Sequence, residues 1–353
     1  MQVKITTKDD RVIINEAGMA VNAQFPLIVS ASRSTVIPAF YADWFFHRLK
    51  VGYSVWTNPF NGIKSYISYE DTRFIVFWSK NPENLIPHLD YLQERSIGCY
   101  VQYTLNDYVK EGLEKGVPTV QKRIDSFKRL VDRLGKGGVI WRFDPLILTD
   151  SITVDDLVGK IEGIGDQLLG YTEKMVFSFV DISEYRRVRT NLDRNGIKYS
   201  EWTEPRMMEF ASKLAKLNER WGYTLATCGE KVDLSGFGVK HNKGIDDDLI
   251  IRRAYDDVKL MKHLGVTIEY AGMFGAPEDA IDLGNGRFAI KGNGKKDKGQ
   301  RPFCGCIASK DIGEYNTCAH LCEYCYANNS KEAALANLQR HHSNPFGETI
   351  TGI

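Results

Sequence analysis

The sequence predicts an α/β fold: a TIM-type (β/α) barrel, up to the full eight strands, with a cysteine-rich module after it. Three observations lead there. Short apolar, β-branched runs set in near residue 26 and alternate with segments whose apolar residues recur at helical spacing, the pattern of a parallel sheet with crossover helices. Eight such runs can be read, the number that closes a barrel. Five of the seven cysteines then fall between Phe303 and Asn329, beyond the last repeat.

In chain order, residues 3 to 15 (V-K-I-T-T-K-D-D-R-V-I-I-N) read as a short hairpin turning at Asp9-Asp10 and capping one end. The eight strands are expected at Leu27 to Ser30, Tyr53 to Thr57, Phe74 to Trp78, Cys99 to Thr104, Val139 to Phe143, Met175 to Val180, Tyr223 to Thr227 and Val266 to Tyr270. Pro38 suits the first turn of a helix carrying Phe40, Trp44, Phe45 and Leu49 on one stripe. Pro118 opens another through Ile124, Phe127, Leu130 and Leu134. The stretch from Ile182 to Trp221 holds two helices. The last strand, V-T-I-E-Y, has the weakest pattern, and a partial barrel of six or seven strands is the alternative. Residues 281 to 290 form a second hairpin with Asn285-Gly286 at its turn, and Lys291 to Arg301 reads as a basic, glycine-rich solvated loop. After the cysteines, a helix from Ser330 to His341 sets Ala334, Leu335 and Leu338 on one face. The chain thus divides into a hairpin (1–25), the barrel (26–278), hairpin plus basic linker (279–302), and the cysteine-rich module with its terminal helix (303–353).

Composition narrows the function classes. At 353 residues, with 43% hydrophobic and 26% charged, the chain is globular and can bury a sizeable core. With 46 basic and 45 acidic residues the net charge is +1, so no global field draws it to nucleic acid or an anionic membrane. No apolar run approaches the ~20 residues that span a bilayer. The opening residues do not read as a secretory leader, and an odd number of clustered cysteines suits metal binding better than disulfides. The cytoplasm is the expected compartment.

Cys318, Cys322 and Cys325 are spaced C-x3-C-x2-C, with Tyr324 just before the last. Such spacing lets thiolates of one loop converge on an iron-sulfur centre, and three ligands on a four-iron (4Fe-4S) cluster leave one iron open to a substrate. Zinc is the rival metal, through Cys304, Cys306, Cys322 and Cys325. A zinc-dependent lyase or hydrolase, or an iron-sulfur electron-transfer or sensor protein, are the corresponding rival functions. Cys304 and Cys306 supply either a further ligand or a second metal centre, with loop packing as the plain alternative. Cys99, inside an apolar strand, reads as a buried thiol.

The run C-A-H-L-C-E-Y-C resembles the C-x3-C-x-aromatic-C motif of the radical S-adenosylmethionine (radical SAM) superfamily, and C-E-Y-C-Y-A-N is similar to the branch that includes spore photoproduct lyase. S-A-S-R near residue 30, N-P-F near 59, F-W-S-K-N-P near 79, W-R-F-D-P near 143 and the cysteine stretch together resemble an uncharacterised prokaryotic family related to it. The resemblance implies an enzyme with a 4Fe-4S cluster on Cys318, Cys322 and Cys325. It would cleave S-adenosylmethionine reductively, drawing electrons from a donor such as flavodoxin or ferredoxin. Superfamily members carry the triad after the first strand, whereas here it comes late, and C-G-E at 228–230 is the closest string to their G-G-E segment.

Working groups of a barrel enzyme stand at the C-terminal ends of its strands. Ser32 and Arg33 stand there, as do Arg142 and Asp144, Asp181, and Cys228. Arg33 or Arg142 would clamp the cofactor carboxylate through a bidentate guanidinium, and Asp144 or Asp181 would accept from its ribose. Arg142 and Asp144 can equally pair with each other. The resemblance also suggests Tyr326 and Cys228 as hydrogen-atom donors, against plain packing roles. In a closed barrel the last strand borders the first, so the late triad is expected beside Arg33, facing Arg142 and Asp144 across the mouth. A small-molecule or peptide substrate fits the neutral charge better than nucleic acid.

Overall fold

A computed structural model describes residues 11–59, 61–270, 279–292, 296–297, 299–300 and 303–352. Its centre is one sheet of eight parallel strands, in the spatial order Lys240–His241, Thr224–Thr227, Lys174–Phe179, Val139–Leu146, Gly98–Thr104, Phe74–Ser79, Ile28–Ala31, Lys310–Asp311. Six of these are the strands expected from the hydrophobic pattern. The outermost two are not. Among the described residues they share no ladder, but the chain just after one meets the chain just before the other where Ile307 N–H donates to Ile245 O at 3.1 Å.

Two expected barrel strands belong to other sheets. Tyr53–Thr57 pairs antiparallel with Lys64–Ser68 across a connection too short for a parallel crossover, which takes about a dozen residues. With Val12–Ile14 and Ala20–Gln24 they make a separate four-stranded sheet. Val266–Tyr270 pairs antiparallel with Arg287–Lys291, and its Tyr270 is 77% exposed, whereas a parallel strand is buried on both faces. Their places in the main sheet are taken by two-residue strands, too short and too polar to mark themselves in the sequence.

Side chains alternate across the sheet. Val29, Ile75, Phe77, Val101, Tyr103, Trp141, Phe143, Met175 and Phe177 point into the larger core, where they meet Trp44, Phe45, Ile124, Phe127, Ile161 and Phe210 from the flanking helices. Each such fully buried side chain contributes about 1.5 to 3 kcal/mol. Ile28, Phe74, Val76, Tyr100, Ile140 and Val176 point the other way, onto Ile250, Ile251, Leu260 and Met261. That second face changes character along the strands: Ile28 gives way to Ser30, Val76 to Trp78, Tyr100 to Gln102, Ile140 to Arg142 and Val176 to Ser178. It is apolar where the strands begin and polar where they end.

The helices follow their sequence signals. Pro38 lies in the first turn of Ile37–Phe40, which leads into Ala42–Val51, and Thr119 caps Val120–Leu134 through Lys122 N. Thr153 and Asp156 form a reciprocal capping box on Val154–Gly165. Arg186–Arg194 and Glu204–Asn218 are the two helices expected between Ile182 and Trp221. Ser330 caps Lys331–Ser343. In that last helix the inward face is Ala334, Leu338 and His341, while Leu335 is 47% exposed, one position off the expected stripe. Asn285 and Gly286, with φ of +53° and +71°, turn the hairpin Ile281–Gly284/Arg287–Lys291 as a type I′ pair. At the N-terminal end, Val12–Ile14 pairs with Ala20–Gln24 around a turn held by Asn15, whose Oδ1 accepts from Ala17 N and Met19 N. The turn expected at Asp9-Asp10 lies outside the described residues, as do 293–295, 298 and 301–302 of the basic linker. No described helix is long and apolar enough to cross a membrane.

Candidate functional site

Ile28–Ala31 runs into Ser32, Arg33, Ser34 and Thr35, and to this turn the C-terminal part of the chain is fastened. Asp311 accepts from Ser30 Oγ at 2.8 Å, Ser32 Oγ at 2.7 Å, Arg33 N at 3.0 Å and Gly313 N at 2.9 Å. Gly313 is pressed so tightly on the turn that a Cβ there would stand 1.8 Å from Ser32 Oγ. Thr35 Oγ1 lies 2.7 Å from Thr317 Oγ1, Tyr41 OH donates to Thr317 O at 2.7 Å, and Tyr326 OH donates to Arg33 O at 2.7 Å. These bonds bring Cys318, Cys322 and Cys325 to the C-terminal ends of the strands, beside Arg33.

Cys318 and Cys322 are buried and Cys325 is half-buried. Burial pushes all three thiols up, Cys318 to about 12, while backbone N–H groups of His320 on Cys318 and of Ala327 and Asn328 on Cys325 pull the other way. Such thiols hold their protons at neutral pH unless a metal displaces them. Tyr324 is fixed by a buried network behind the loop: its hydroxyl bonds Glu114, accepts from Lys80 Nζ at 3.0 Å and from Asn106 Nδ2 at 3.2 Å. Lys80 Nζ lies 2.8 Å from Glu114 Oε1, and Arg123 Nη2 lies 3.7 Å from Glu114 Oε2. Burial works against the Glu114 carboxylate, but Lys80 and Arg123 hold its carboxyl below the usual range. Asn106 also grips the end of its neighbour strand, donating to Asp144 O at 3.1 Å and accepting from Asp144 N at 2.9 Å.

Above the polar strand ends lies a cavity of about 520 Å³. The cysteine triad, Tyr324 and Tyr326 line it. The Trp78 ring also lines it, with the Arg33 and Arg142 guanidiniums 5.7 and 5.4 Å from its centroid and its Nε1 donating to Ser30 Oγ at 3.2 Å. Arg142 is engaged: it bonds Asp144 through Nε at 3.2 Å and through Nη2, and Gln102 Oε1 at 3.3 Å, while Ser178 bonds the same Asp144. Arg33 differs, for its Nη2 is buried without a hydrogen-bond partner among the described residues. A second set of thiols lines the same cavity. Cys304 and Cys306 act on each other electrostatically, and Cys306 Sγ accepts from Gly244 N at 3.2 Å and Ile245 N at 3.4 Å. The effect of Cys304, opposed by burial and helped by Ile245 N–H and Arg33, brings Cys306 down to about 5; Cys304 is raised.

Every residue singled out in the sequence therefore meets here: Ser32, Arg33, Arg142, Asp144, Asp181, Tyr326 and the cysteines other than Cys99 all line the one cavity. Their situations differ. Arg142 and Asp144 are paired with each other, Asp181 is exposed and bonded to Ser183 Oγ at 3.2 Å, and Tyr326 spends its hydroxyl on Arg33 O. Sequence reasoning missed Glu114 and Ser178. Glu114 sits in the loop between Gly98–Thr104 and Val120–Leu134, with no spacing to mark it.

The spread of the sulfurs bears on the metal. Among the described residues, the only three potential ligands with donor atoms all within 4.8 Å are Asp246, Asp247 and Asp248, already paired with Lys174, Lys243 and Lys291. A tetrahedral zinc with Zn–S of about 2.3 Å would hold its thiolates ~3.8 Å apart. Neither the triad's three sulfurs nor those of Cys228, Cys304 and Cys306 all lie that close together.

The family model for a domain of unknown function (DUF1848) matches residues 28–327. The chain belongs to the DUF1848 family. The DUF1848 region opens on the first residue of Ile28–Ala31 and closes two residues past Cys325, so it takes in the whole main sheet and every cavity-lining residue. The strands Val12–Ile14 and Ala20–Gln24 and the helix Lys331–Ser343 fall outside it. No curated protein matches the chain.

Proposed function

We propose that this DUF1848 protein is a radical SAM enzyme. In this reading Cys318, Cys322 and Cys325 hold a 4Fe-4S cluster, and the main sheet is a barrel closed through the Ile245 and Ile307 segments. The observation that carries it is the C-x3-C-x2-C triad standing on the wall of the main-sheet cavity, which Arg33 also lines with an Nη2 that has no partner among the described residues. The donor set suits such a cluster: buried thiols from one loop, with backbone N–H groups acting on two of the sulfurs. When bound, the reduced cluster would supply the one electron that cleaves S-adenosylmethionine, and the cleaved cofactor would supply the radical that begins the chemistry.

The chain's own residues have separate tasks. Arg33 binds the cofactor carboxylate, for which a guanidinium is shaped. Trp78 offers a flat apolar face, and the Arg142–Asp144–Ser178 group gives the cavity a fixed polar floor. Lys80, Glu114 and Asn106 hold Tyr324, and through it the cysteine loop, in one position. The cavity volume admits a cofactor with a small substrate, a small molecule or the tip of a peptide. A flavodoxin or ferredoxin would deliver the electron.

The test is anaerobic reconstitution with iron and sulfide, then reductant and S-adenosylmethionine, with 5′-deoxyadenosine as the readout. It is expected from the native protein and absent from the Cys318→Ala/Cys322→Ala/Cys325→Ala variant, which should also lose the brown colour. A variant with its iron intact, or a loaded native protein giving no 5′-deoxyadenosine, would overturn the proposal.

A further inference from the structure

Cys304 and Cys306 come from the segment that enters strand Lys310–Asp311, and Cys228 from the end of Thr224–Thr227, so two distant stretches of chain deliver three thiols to one wall of the cavity. None belongs to the C-x3-C-x2-C loop. Cys304 and Cys306 are 9% and 3% exposed and, two positions apart in the chain, line the same cavity. The backbone around them is shaped for this. Gly244 and Ile245 direct two N–H groups at Cys306 Sγ, as backbone amides do at metal-bound thiolates. A Cβ on Gly244 would stand 2.7 Å from the Trp78 ring, and one on Gly305 would stand 2.9 Å from Lys243, so both glycines are required for the close approach.

A second observation concerns Asn242. It is 2% exposed, its backbone carbonyl flanks Gly305 between the two cysteines, and neither atom of its side-chain amide has a hydrogen-bond partner among the described residues. Leaving such a group unpaired costs about 1 to 3 kcal/mol, so polar company is wanted there.

We infer that Cys304 and Cys306, completed by Cys228, form a second metal site, separate from the triad, for one thiophilic divalent cation such as ferrous iron or zinc. Cys304 and Cys306 anchor the ion. Cys228, which lines the same cavity, joins as its side chain turns toward the ion; the remaining position opens on the cavity. Binding exchanges the thiol protons for the metal, so it releases protons to solvent and needs no oxidant or reductant. Soft thiolates select such ions over magnesium or calcium.

The inference does not depend on the triad, and its test is arranged accordingly. The Cys318→Ala/Cys322→Ala/Cys325→Ala variant is titrated anaerobically with Co²⁺, whose thiolate complexes show charge-transfer absorption. One Co²⁺ per chain is expected, lost when Cys304→Ser and Cys306→Ser are added and bound at least about tenfold more weakly in Cys228→Ser. Absence of the band from the triad variant, or its persistence without Cys304 and Cys306, overturns the site. Should circular dichroism show that the triad variant does not fold, the full protein is compared with its Cys304→Ser/Cys306→Ser form. The latter must then bind one Co²⁺ fewer, and equal binding overturns the site. Triad iron and 5′-deoxyadenosine are measured separately, so failure here leaves the reading of the triad standing.

Discussion

Replacing Glu114 by Gln takes one negative charge from a pocket that holds two cations. Glu114 is 5% exposed, with Lys80 Nζ at 2.8 Å and Arg123 Nη2 at 3.7 Å. Removing one partner of a buried ion pair costs about 3 to 5 kcal/mol, because the other charge is left uncompensated. Glutamine can still accept from Tyr324 and Asn106, which recovers about 1 kcal/mol. The expected destabilisation is therefore about 2 to 4 kcal/mol, roughly 30- to 700-fold in the folding equilibrium. Urea unfolding followed by tryptophan fluorescence measures it. Adding Lys80→Met should return part of the loss, giving a coupling of at least about 1 kcal/mol in the double-mutant cycle. The pH dependence has a defined sign. The folded carboxyl titrates below its ordinary 4.5, so its contribution is fully present above pH 4.5 and fades as pH falls through the folded value. The Gln variant should lack that acid limb. A variant within about 0.5 kcal/mol of wild type, or an additive cycle with Lys80→Met, would refute the reasoning.

Two further outcomes are expected. Arg33→Lys should weaken S-adenosylmethionine binding by about 1.5 to 3 kcal/mol, roughly 10- to 140-fold, with iron content unchanged; unaltered affinity by calorimetry would remove Arg33 from the cofactor site. Gly313→Ala should destabilise the fold by about 1 to 3 kcal/mol, since its new methyl overlaps Ser32 Oγ, and a denaturation midpoint equal to wild type would contradict the packing of that turn.

Much of the site was legible because chemistry concentrates in recognisable residues. The C-x3-C-x2-C spacing and the polar residues closing each apolar run were enough to assemble the cavity wall, and the six buried strands carry a hydrophobic signal that needs no context. What failed was pairing. Tyr53–Thr57 and Val266–Tyr270 are strands by composition, but a strand's sheet is decided by its partner and by the length of chain leading to it, which composition does not record. Lys240–His241 and Lys310–Asp311 enter the sheet on tertiary contacts alone. Leu335 shows the same limit in a helix, where a stripe one residue wide is shifted by how the helix rolls on its neighbour. Glu114 was invisible because its meaning lies in Lys80, Arg123 and Tyr324, which only the fold gathers around it from three separate segments.

The bond between Ser30 Oγ and Asp311 spans 281 positions. On a ribosome adding about 5 to 20 residues per second, roughly 15 to 60 s separate the appearance of Ile28–Ala31 from that of the strand that covers its free edge. Through that interval the edge strand's backbone groups on that side are unpaired, and the cavity wall that bears the triad does not exist. On the function proposed above, iron loading of the triad is thereby postponed to the end of synthesis, after Lys310–Asp311 has docked.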